Sequence, residues 1–184
     1  QLTVSNTAPN NSPVYLVQSI LLSSGVTVSN VTFNGSPAIP TGANAFMIGY
    51  FNGSSSNIGL NSGVILNTGS IFDAPGPNNS GNSGFDNSIP GDPDLNILAA
   101  NAPGGTFNAA VLEFDFETVT DGISFRYVFA SEEYNEYVCS PFNDVFGFFI
   151  SGPGISGPFT NSAVNIALVP SASTYVGINT VNNG

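Results

Sequence analysis

Val111-Leu112-Glu113-Phe114-Asp115-Phe116-Glu117 and Ile123-Ser124-Phe125-Arg126-Tyr127-Val128-Phe129 decide how this chain is read. In the first run Leu112, Phe114 and Phe116 fall on one side of an extended chain, and Glu113, Asp115 and Glu117 on the other. In the second, Phe125, Tyr127 and Phe129 alternate with Arg126 in the same way. A period of two is the mark of a half-buried strand. Asp121-Gly122 between the runs is a favoured two-residue hairpin turn. Counting outward from it sets Glu117 against Arg126, Phe116 against Tyr127 and Phe114 against Phe129, so the sequence predicts a hairpin with matched faces.

Elsewhere the pattern is similar but shorter. Ser12-Pro13 caps and opens a helix carrying Leu16, Val17, Ile20 and Leu21 at helical spacing, and Gly25 ends it. Residues 26–33 place Val26 and Val28, then Val31 and Phe33, at strand spacing, with an Asn-Gly-Ser-Pro turn behind them. Further strands are predicted over 45–51, 63–67, 164–169 and 175–181. Residues 145–150 are apolar throughout and predict a central strand buried on both faces. Asp92-Pro93 predicts the cap of a second short helix through Ala99, with Asp92 as capping residue in preference to ligand. Many short strands, turn-rich connections and one or two short helices give a mainly β class: an antiparallel β-sandwich, jelly-roll-like.

The chemistry is concentrated. All twelve carboxylates lie between Asp73 and Asp144, and Arg126 is the single cation. At a net charge of −11, binding to nucleic acid or anionic lipid is disfavoured. His and Trp are absent and Cys139 is the one thiol, so no Ser-His-Asp triad, Cys-His dyad or His-liganded zinc site can form within the chain. Cys139 reads either as a small buried apolar residue or as half of a bridge to a segment outside these 184 residues. Fifteen Phe and a 41% hydrophobic content argue for a packed core over disorder. No apolar run reaches the ~20 residues of a membrane span. A surface of Asn, Ser, Thr and Gly almost without Lys fits an extracellular protein, and the chain starts like a mature sequence after signal removal.

Three segments carry a family likeness: residues 109–116; Phe125 through Ala130-Ser131-Glu132-Glu133-Tyr134-Asn135-Glu136-Tyr137-Val138; and Phe142-Asn143-Asp144-Val145-Phe146-Gly147-Phe148-Phe149-Ile150. With residues 59–69, Gly91-Asp92-Pro93-Asp94-Leu95 and Ile178-Asn179-Thr180-Val181-Asn182, they closely resemble the choice-of-anchor L domain. The resemblance implies a single domain over 1–184 within a large secreted bacterial surface protein, of a kind often exported by type IX secretion. Family members usually continue past the Ile-Asn-Thr-Val-Asn motif. The expectation is therefore an N-terminal part of a longer protein, lacking its C-terminal strands.

Two ligand classes follow from the residues. Glu132, Glu133, Glu136, Asn143 and Asp144 are hard oxygen donors on loops beside strands, the donor type of Ca²⁺. The ordinary alternative is that Glu133 or Asp144 accepts backbone N–H bonds that pin the 131–140 connection. Tyr134 and Tyr137 are candidate stacking faces for a glycan, against ordinary packing at a sheet margin. A third possibility, a polysaccharide hydrolase, would need two carboxylates such as Glu132 or Glu133 with Asp144. Without His, Lys or Trp the chain reads as no enzyme. The expected function is a non-catalytic surface module for adhesion or extracellular assembly, with other surface proteins, copies of itself or glycans as partners.

Overall fold

The computed structural model describes residues 1–77, 80, 84–99, 104–132, 137–140 and 142–182. The chain is mainly β, with short antiparallel sheets and few, short helices. It divides into two compact units: Gln1–Asn79 with Gly84–Ile89 and Asn108–Val128, and Ser80–Ser83 with Pro90–Phe107 and Phe129–Gly184.

The first unit contains five strands and the first helix. Strands β1 (Thr3–Ser5), β3 (Ile48–Asn52) and β4 (Ser62–Leu66) form one antiparallel sheet in the order β1-β3-β4. Strands β2 (Val26–Phe33) and β5 (Leu112–Thr118) form a second. Helix α1 (Pro13–Tyr15) runs straight into a π-helical stretch, Leu16–Leu21. As predicted, Ser12 caps it: its side chain accepts the Tyr15 N–H at 3.3 Å, and Pro13 takes the first turn where no donor is missed. Leu16 and Val17 are fully buried, and both sheets contact this helical stretch. Leu16, Phe33, Met47 and Ile48 make the core, with Ile20, Tyr50, Val64, Ile89, Ala110 and Leu112 packed on it. Helix and both sheets thus bury one common core, the layering of a sandwich and not of a closed barrel.

Strand β2 shows why its apolar residues change phase. Val26 and Val28 face inward, Asn30 takes φ 51°, and Val31 and Phe33 are buried one step later. The register against β5 shifts between Ser29 and Thr32, a β-bulge that adds one residue to β2 and keeps apolar side chains on the core side. Asn tolerates the left-handed conformation better than other non-glycine residues.

The predicted hairpin does not form. β5 pairs with β2, Glu117 lying opposite Thr27 and Phe116 opposite Val28, while residues 122–130 belong to no strand. β2 offers β5 the same alternation of faces as 123–129, and the pairing runs on past the strand end, where the Val119 N–H donates to the Gly25 carbonyl at 3.2 Å. The Thr120 hydroxyl donates to the Gly122 carbonyl at 2.9 Å, which turns the chain locally without a ladder. Arg126 donates from Nη2 to the Gly59 carbonyl at 2.9 Å and does not stand across a ladder from Glu117. The strand predicted from 45 begins at Ile48, because Gly42–Phe46 is a 3₁₀ turn.

The second unit holds helix α2 (Pro93–Leu98), strands β6 (Val145–Phe146), β7 (Phe149–Ile150), β8 (Val164–Asn165) and β9 (Val176–Gly177), and the turn α3 (Ile178–Val181). Asp92 caps α2, accepting from the Asp94 and Leu95 N–H groups at 2.9 and 3.0 Å, so its capping role holds. The predicted strand over 145–150 is two strands with different partners, β6 with β9 and β7 with β8, and its residues are half-buried. The break falls at Gly147-Phe148: the Phe148 N–H is taken by Asn165 Oδ1 at 3.0 Å, and a Cβ on Gly147 would stand 2.5 Å from the Phe149 ring. The predicted strand over 175–181 stops at Gly177, where the Thr180 hydroxyl donates to the Tyr175 and Gly177 carbonyls and closes a helical turn.

Candidate functional site

The acidic candidate region lies in the second unit. Glu133, Tyr134 and Glu136 fall outside the described residues; Glu132, Tyr137, Asn143 and Asp144 lie within them. Glu132 is half-buried, and Asp144 is exposed with Oδ2 accepting from the Ser131 hydroxyl at 3.3 Å. The backbone carbonyl of Asp144 accepts the Ile178 N–H at 2.9 Å, so this residue also fixes the start of α3.

Asn143 is a bracket. Its Oδ1 accepts the Asn179 N–H at 3.1 Å and its Nδ2 donates to the Tyr175 hydroxyl at 3.2 Å. Asn179 repeats the device, its Oδ1 accepting the Cys139 N–H at 2.6 Å. Two side-chain amides therefore tie Cys139 and Asn143 to Tyr175 and Asn179, taking two backbone N–H groups and one hydroxyl. One lone pair of the Asn143 carbonyl oxygen is committed, which weakens it as a metal ligand. Asn179 and Tyr175 were not among the predicted site residues; the one signal for Asn179 is its place in the Ile-Asn-Thr-Val-Asn motif.

Cys139 is exposed, not buried as one reading had it, and sits at φ 62°. Its backbone N–H is held by Asn179 Oδ1 in a turn. Tyr137 is half-buried and meets Phe142 edge-on, ring centroids 5.8 Å apart at 89°. Phe142 itself is 62% exposed. Among the described residues no group of three or more His, Cys, Asp or Glu side chains gathers closely enough to hold a metal ion.

The first unit carries a separate polar surface. Glu113, Asp115 and Glu117 are exposed along β5, opposite Thr32, Ser29 and Thr27 of β2. The bulge aims Asn30 at them, its Nδ2 donating to Asp115 Oδ2 at 2.6 Å. Asp86 lies on an exposed loop of the same unit. The Asn108 amide, first, and the Ser88 N–H hold its carboxyl below the ordinary aspartate value. An open depression of about 560 Å³ is lined by Gln1, Leu2, Ser55 to Ile58, Ala74 and Pro75, and none of these described residues is acidic.

A mainly β chain that spends Asp92, Asn143 and Asn179 on backbone brackets and sets Glu113, Asp115 and Glu117 on exposed surface has the make-up of a surface-type β module. The chain belongs to the choice-of-anchor L domain family, whose model matches residues 3–184. That makes it a surface-associated or secreted protein. No curated protein and no solved structure matches the chain. No helix among the described residues is long and apolar enough to cross a membrane.

Proposed function

We propose that the chain is a structural and adhesive module of a secreted cell-surface protein, exported by type IX secretion and working without catalysis. The observation that carries this reading is the use made of the motif residues. Asp92, Asn143 and Asn179 accept backbone N–H groups and hold loops in place, and Glu113, Asp115 and Glu117 face solvent along one strand. Held loops in one unit and a solvent-facing polar strand in the other are the features expected of a presenting module. Its partners are other surface proteins or copies of itself. Calcium is the ion proposed for Glu132, Glu133, Glu136 and Asp144, with Asn143 contributing its remaining lone pair. The test is antibody labelling of intact producing cells together with attachment assays on cells with and without the protein. Surface labelling with weakened attachment supports the reading; labelling only after lysis overturns it.

A glycan-binding reading stands second, for one reason. Phe142 is exposed and braced edge-on by Tyr137, which leaves an aromatic face open to stack on a sugar ring. A glycan array with wild type and Phe142→Ala separates the two readings. A polysaccharide hydrolase is third, and assays on Glu133→Gln and Asp144→Asn variants test it.

A further inference from the structure

We propose that the outer edge of β5 receives an extended segment of a partner protein in which Lys or Arg alternates with apolar residues, adding to the β2–β5 pair as a third strand. β5 pairs with β2 on one side, and among the described residues no strand pairs along its other side. Seven residues of ladder edge are long enough to template a strand. The edge carries no Lys and no Pro in 112–118 and the bulge of this pair is in β2, so its one protection is the acidic row, which a basic strand neutralises.

The side chains of β5 select the occupant. Glu113, Asp115 and Glu117 stand on one face at intervals of about 7 Å, the same-face repeat of any strand laid beside them. Their neighbours on β2 are hydroxyl residues, Thr32, Ser29 and Thr27, so no basic cross-strand partner comes from that side. Leu112, Phe114 and Phe116 occupy the other face, half-buried, with the Phe114 and Phe116 rings 6.3 Å apart. A strand alternating basic and apolar residues matches both faces at once. A second copy of β5 does not: antiparallel pairing centred on Asp115 sets Glu113 opposite Glu117 and Asp115 opposite Asp115, like charges throughout. The inference rests on the reading of the chain as a non-catalytic partner-binding module and names the partner's chemistry.

The test uses the whole chain and a short synthetic peptide alternating Lys with Val, beside a peptide of the same composition with the Lys residues in one block. Binding is measured at low and high salt, and hydrogen exchange of the β5 amides with and without peptide. The expected result is tighter binding of the alternating peptide by about ten-fold, weakening with salt, with new protection confined to 112–118. Glu113→Gln with Asp115→Asn and Glu117→Gln is expected to lose about ten-fold of that affinity while melting like wild type. Equal binding of the two peptides, protection elsewhere, or no binding at low salt overturns the proposal. So does full protection of the β5 amides before peptide is added, which would mean that the chain's own residues occupy the edge. The peptide comparison needs no variant, so misfolding of the triple variant leaves the test intact. Cell attachment that persists while the peptide fails would sink this inference alone and leave the adhesive reading standing.

Discussion

Asn30 reaches across from β2 and donates its side-chain amide to Asp115 on β5, 2.6 Å away, from a backbone at φ 51°. One residue thus does two things. It absorbs the extra step that brings Val31 and Phe33 back to the core, and it fixes a carboxylate on the exposed face.

The two roles separate by substitution. Asn30→Ala loses the hydrogen bond and forces a Cβ-bearing residue without a local amide into the left-handed region, for a cost of about 1–2 kcal/mol. Asn30→Gly keeps the backbone and loses only the bond, so its cost is smaller. Urea denaturation ranks the three proteins; equal loss in both variants would show that the bulge geometry contributes nothing.

Asn179 predicts a local effect. Asn179→Ala leaves the Cys139 N–H without its 2.6 Å acceptor. Hydrogen exchange should quicken in 137–143, with a global loss of roughly 1 kcal/mol. Unchanged exchange there would contradict the bracket.

Asp86 predicts a pH effect of definite sign. Its folded value lies below the ordinary 3.8, through Asn108 and then Ser88. A depressed carboxyl adds stability at pH above its unfolded value and loses it as pH falls through the folded one. Wild type should therefore exceed Asp86→Asn at neutral pH, and the two should converge below pH 3.8. A gap that widens in acid has the wrong sign. Because the group is exposed, the effect is small and shrinks with salt.

Calcium, if held by the 132–144 region, stabilises the fold by linkage, roughly 2.7 kcal/mol at one hundred times the dissociation constant. Melting with millimolar Ca²⁺ against chelator measures it, and Asp144→Asn should remove the shift. Identical melting curves would end the calcium proposal.

What could be read from the sequence was local. The alternation of Leu112, Phe114 and Phe116, the Ser12-Pro13 start and the Asp92 cap each depend on residues within one turn or one strand, and all three hold. The change of phase between Val28 and Val31 lies in the sequence, but its cause, the bulge, came from the structure. The partner of β5 was not legible. Phe116 fits against Tyr127 as well as against Val28, and the choice depends on a competition between 26–33 and 123–129 that no local pattern records. The brackets made by Asn143 and Asn179 leave no periodicity at all, since a side chain bonding to distant backbone has no sequence spacing. Of the predicted site residues, Glu132, Tyr137, Asn143 and Asp144 can be placed, with Asn143 Oδ1 accepting a backbone N–H, while Glu133, Tyr134 and Glu136 lie outside the described residues.

Attachment of the producing cells with and without saturating Fab fragments against residues 1–184 tests the central claim most directly, with display followed by labelling of intact cells. The account predicts normal display and a several-fold fall in attachment or cell–cell cohesion, with no change in turnover of extracellular polysaccharide. Normal display with undiminished attachment, or loss of a polysaccharide-cleaving activity in its place, would contradict it.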